Sequence, residues 1–68
     1  MDAVNMTQSL SWKLRRVAAG IRQQDIAFRA GMSTTRYSAI ERGEQPPSEL
    51  EARLIEQGLP PLLAGGPR

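Results

Sequence analysis

The sequence predicts a small all-α domain of four helices, or four and a half, and three observations carry that prediction. Apolar residues recur at spacings of three and four in separate short runs: Leu10, Leu14, Val17 and Ile21, then Ile26, Ala27 and Ala30, then Tyr37 and Ile40, then Leu50, Leu54 and Ile55. Gly20, Gly31, Gly43 and Gly58 close these runs one by one, where a chain leaving a helix favours glycine. Ser48 followed by Glu51 forms a capping-box signature, which fixes the start of the last helix.

Composition narrows the function classes. The chain has 68 residues and neither cysteine nor histidine, so one domain is expected, with no disulfide framework and no thiolate metal site, as suits a reducing cytoplasm. A core of this size supplies roughly 3–5 kcal/mol, and marginal stability follows. No basic segment precedes an apolar run at the N-terminus and no stretch approaches about 18 apolar residues, so neither an export signal nor a membrane span is expected. Nucleophiles and bases are limited to Ser, Thr, Lys and scattered carboxylates, without a phosphate loop, dinucleotide fingerprint or metal-spaced cluster. No enzyme, cofactor, metal site or small-molecule effector is expected. Charge is uneven: residues 1–42 hold seven basic side chains against three acidic ones, and residues 43–68 hold two against four. One basic half and one acidic half suit a protein that turns one face to a polyanion.

In chain order, residues 1–7 show no clear periodicity and read as a flexible lead-in. The domain proper is expected over 8–58. Its first helix runs from about Gln8 to Ala19, and the apolar period turns Leu10, Leu14 and Val17 toward the core. Between the second and third helices, Gly31 permits the positive φ of a tight turn, Ala27 is small enough for a close crossing, and the Ser33 hydroxyl can cap the third helix. That helix is expected from about Thr34 to Arg42. At 100° per residue, with Tyr37 and Ile40 inward, its opposite face carries Thr35, Ser38, Ala39 and Arg42, with Thr34 and Arg36 on the shoulders. A loop containing Pro46 and Pro47 leads to the fourth helix, whose apolar side is Leu50, Leu54 and Ile55. Residues 59–68 form a Pro/Gly-rich tail whose Leu59, Leu62 and Leu63 either pack back on the domain or make a dimer contact.

The run Gln23, Ile26, Ala27, Ala30, Gly31, Met32, Ser33, Tyr37, Ile40, Glu41 and Gly43, followed by Pro47-Ser48, resembles the Cro/cI-like (XRE-type) helix-turn-helix family of phage and bacterial regulators over about residues 12–57. The resemblance implies a lambda-repressor-like fold. It also places Trp12 and Ala19 at the usual core positions of the first helix, in competition with the apolar period. Its base-reading positions map onto Thr34, Thr35 and Ala39. Arg36 and Ser38 are further candidates for base edges, Arg36 through a bidentate guanine contact or, from its shoulder, a phosphate. Gln23, Ser33 and Arg42 map onto phosphate-contacting positions. Arg22 stands where the family usually has a capping Ser or Thr. It cannot accept that hydrogen bond, and it is expected either to reach a phosphate or to stay in solvent. Glu41 maps onto an ion pair with Arg16. The expected function is that of a cytoplasmic transcriptional regulator, a repressor binding an inverted-repeat operator in the major groove of double-stranded DNA as a homodimer. The alternative is a protein-interaction module, such as an antitoxin or antirepressor, built on the same fold.

Overall fold

The computed structural model describes residues 2–60, with side chains from Thr7 onward. Four helices follow in order: α1 (Asp2–Ala19), α2 (Gln23–Arg29), α3 (Thr34–Glu41) and α4 (Glu49–Gly58). Helix α1 starts at Asp2, ahead of the expected Gln8, so the backbone of the segment expected as a lead-in is helical from Asp2. Residues 61–68, including Leu62 and Leu63 of the expected tail contact, lie outside the described residues.

The core is Trp12, Ile26, Ala27, Ala30, Tyr37, Ile40, Ile55 and Leu59, with Ile21, Met32, Ala52 and Leu54 packed at its edge. The rotation of α1 is decided by Trp12, which is 1% exposed. Its indole buries the largest apolar area available to this helix, and its N–H finds Glu56 Oε2 at 2.7 Å, so the polar handle is satisfied as well. Turning Trp12 inward sends the periodic trio outward: Leu10, Leu14 and Val17 are each at least half exposed. Ala19 is also exposed, so only one of the two core positions implied for α1 is filled. In α4 the inward residue is Ile55, Leu54 is half-buried, and Leu50 faces solvent, because the helix docks through the side that continues into buried Leu59.

Helices α1, α2 and α3 end alike. The residue after each closing glycine donates its N–H to a carbonyl five positions back: Ile21 to Arg16, Met32 to Ala27 and Glu44 to Ala39. Gly31 makes the middle ending possible with φ at +72°, and this sharp turn sets α3 across α2 above the nearly inaccessible Ala27. The far end of α4 is clasped by two arginines. Arg29 donates to the Gly58 carbonyl at 2.9 Å, and Arg15 donates to the carbonyls of Leu59 and Pro60 at 3.1 and 3.0 Å. Arg15 also pairs with Glu56 at 2.8 Å.

Candidate nucleic-acid interface

Helix α3 is capped by Ser33, whose backbone is extended and whose hydroxyl accepts the Arg36 N–H at 3.0 Å. That cap leaves Thr34 and Thr35 at the open end of the helix, both exposed. Moving along the same side come Ser38, half-buried, and Arg42, exposed. The expected outer face is therefore formed by Thr34, Thr35, Ser38 and Arg42, and two of the residues assigned to it from the sequence are elsewhere.

Ala39 is 6% exposed, turned into the packing of α3 and away from the expected outer face. It precedes Ile40, whose carbonyl accepts the buried Ser9 hydroxyl of α1 at 2.7 Å, and this end of α3 is closed by the first helix. Arg36 points to the fourth helix. It donates Nη2 to Glu51 Oε1 at 2.8 Å, Nε to Glu51 Oε2 at 3.2 Å, Nη2 to the Pro46 carbonyl at 3.2 Å and Nη1 to Gln45. With all three nitrogens of its guanidinium engaged, Arg36 braces the loop between α3 and α4 rather than standing on the outer face. Glu51 in turn completes the capping box, accepting the Ser48 N–H at 2.8 Å while its own N–H donates to Ser48 Oγ. Arg36 first, then the Ser48 N–H, holds the Glu51 carboxyl at about 2.

The Gln23 side chain is likewise turned inward. Its amide donates to Glu41 Oε1 at 2.9 Å, so the side chain is held on the ion pair and not at the position of the expected phosphate contact. Glu41 is the centre of a buried network: Arg16 Nε donates to Oε2 at 2.7 Å and Nη2 to Oε1 at 3.0 Å, and Arg16 Nη1 donates to the Ile21 carbonyl. This is the expected pair of helix one with helix three. Burial pushes the Glu41 carboxyl up, but the hydrogen bonds from Arg16 and Gln23, with the charge of Arg16, outweigh it and hold the carboxyl below its ordinary value. The Tyr37 hydroxyl lies beside this pair, buried and without a well-aligned hydrogen bond. Burial, then Glu41, raises its pKa above the ordinary phenol value.

At the edges of the outer face the cations are lightly tied. Arg22, at the N-cap of α2, makes no capping bond and touches Asp25 at 3.4 Å with 72% of its side chain exposed. Arg42 pairs with Glu44 at 2.9 Å, and both are more than half exposed. It also donates to Ser38 Oγ. The basic half of the sequence is thus less free than its charge count implies, because Arg15, Arg16 and Arg36 are spent on Glu56, Glu41 and Glu51. Nothing in the sequence pattern marks Glu44, Glu51 and Glu56 as partners of these arginines. Only Glu51 carried a local sequence signal, its capping box, and its second role spans 15 residues of chain.

Among the described residues no helix is long and apolar enough to cross a membrane, and no group of His, Cys, Asp and Glu could hold a metal ion. No curated protein and no solved structure matches the chain. A family model described as helix-turn-helix matches residues 13–60, which is most of the chain and contains α2, α3, α4 and the C-terminal part of α1 from Lys13 on. With the glycine turn, the crossing of α3 over α2 and the exposed polar face of α3 in place, the chain belongs to the XRE-type helix-turn-helix family of DNA-binding regulators.

Proposed function

We propose that the protein is a repressor that reads an inverted-repeat operator as a dimer, with the outer face of α3 in the major groove. The observation that carries this reading is the set of four polar side chains along one side of α3, Thr34, Thr35 and Arg42 exposed and Ser38 half-buried. Thr34 and Thr35 occupy the N-terminal end, which enters the groove in this motif. Each threonine offers a hydroxyl to several base edges and a methyl to the thymine methyl, a weak code per contact. Ser38 adds a third hydroxyl. Ser33, Arg22 and Arg42 flank this face and serve the phosphates, fixing the register without reading sequence. A face with so little bidentate capacity needs two half-sites to select a locus, which is the reason for a dimer. Half-sites one helical turn apart, about 34 Å, satisfy its geometry. Repression by covering a promoter requires nothing beyond this domain, and the cytoplasm is where its DNA would be met.

Thr35→Ala combined with Ser38→Ala tests the face. Sites selected by this variant from a random duplex pool are expected to lose their base preference while its circular dichroism stays unchanged. Retention of the wild-type site preference would remove α3's outer face from the reading.

A further inference from the structure

The outer side of α1 carries Leu10, Leu14 and Val17 at 56%, 50% and 57% exposure, at positions i, i+4 and i+7 of an 18-residue helix. Among the described residues they take no part in the core, to which α1 contributes Trp12. Beside the stripe runs a groove whose walls are Thr7, Leu10 and Lys13 from α1 and Glu41, Arg42 and Glu44 at the end of α3. Among the described residues the Lys13 ammonium has no ion-pair or hydrogen-bond partner, and across the groove Glu44 is more than half exposed.

We infer that this stripe and groove bind a second copy of the chain, α1 against α1, with Lys13 of each copy facing Glu44 of the other. A two-fold contact must be self-complementary, each patch supplying what the other lacks. The stripe meets that condition because Leu10, Leu14 and Val17 are equivalent partners for their own copies. The groove meets it because it holds the unpaired Lys13 and the Glu44 carboxylate, which is bound by Arg42 yet more than half exposed and open to a second cation. The inference rests on the dimeric reading above and names its interface. Three half-exposed aliphatic side chains offer on the order of 300 Å² per copy, against about 800 Å² per partner in a standard stable interface. The free dimer is therefore weak, and binding of both half-sites supplies the rest. Arg42 borders the groove, whereas Thr34 and Thr35 do not line it.

The test is sedimentation equilibrium of the full chain from about 10 µM to 1 mM, without DNA, on the wild type, Leu14→Asp, Lys13→Glu and Lys13→Glu with Glu44→Lys. All the changed residues are exposed, and circular dichroism checks that each variant keeps its helices. The expected result is concentration-dependent dimerisation in the wild type, weakened at least tenfold by Leu14→Asp and by Lys13→Glu, and restored to within about threefold in the charge-exchanged double variant. A dimer that tolerates both single variants overturns this interface and leaves the dimeric reading standing. A wild-type chain that stays monomeric through 1 mM overturns the inference. If it also occupies its selected sites one copy at a time, the dimeric reading falls too.

Discussion

Replacing Glu41 by alanine leaves Arg16 buried without its counter-ion, and the structure sets the size of the effect. Glu41 accepts three hydrogen bonds, two from Arg16 and one from Gln23, with 3% of its side chain exposed. Removing one partner of a buried pair costs about 3–5 kcal/mol, mostly because the remaining charge is stranded. Arg16 keeps 13% of its side chain in contact with water and its bond to the Ile21 carbonyl, which places the cost near the lower end, about 3 kcal/mol. A domain of this size has roughly 3–5 kcal/mol in all, so the variant should be largely or wholly unfolded at 37 °C. In thermal melts followed by circular dichroism, the midpoint should fall by roughly 12–24 °C, at 4–8 °C per kcal/mol. Arg16→Met with Glu41→Leu, which removes both charges and keeps the volume, should recover most of the loss. A Glu41→Ala midpoint within about 4 °C of the wild type would refute the claim that this pair ties α1 to α3.

Three further outcomes follow from single contacts. The Glu51 carboxyl sits at about 2 in the folded chain, below the ordinary value near 4.3 in the unfolded one. Its stabilisation is complete above the unfolded pKa and drains away as pH falls from there through the folded value, so urea midpoints of wild type and Glu51→Gln should differ at pH 6 and converge toward pH 2. Gly31→Ala meets no atom within 4 Å, yet φ at +72° should cost about 1–2 kcal/mol in urea denaturation. Arg42→Ala should weaken binding to all duplexes alike and flatten the salt dependence of log Kd by about one, with site preference unchanged in a competition assay.

Much of this fold is legible in the sequence, because its punctuation is local. Gly20, Gly31 and Gly43, the Ser33 cap and the Ser48–Glu51 box each act within five residues, and the structure places all of them where the residue types require. The Arg16–Glu41 pair was reachable through the family pattern alone. What was not legible depends on which of two competing apolar sets wins. Along α1, Leu10, Leu14 and Val17 keep perfect helical spacing, but one buried tryptophan with its N–H satisfied by Glu56 outweighs three aliphatic side chains. The site suffers from the same non-locality. Nothing near Arg36 in sequence shows that Glu51 will hold it, and nothing near Gln23 shows that it will turn to Glu41. The outer face that remains, Thr34, Thr35, Ser38 and Arg42, follows from the 100° periodicity of α3 corrected for the burial of Ala39.

The central claim, that this chain selects a two-fold operator with the outer face of α3, is tested most directly by enrichment from a random duplex DNA pool at about 150 mM salt, where sequence-independent phosphate attraction is suppressed. The expected result is an enriched palindrome with half-site centres about one helical turn apart and two copies of the chain bound per duplex. No enrichment, with binding confined to low salt, would contradict it and favour a protein partner as the ligand of this domain.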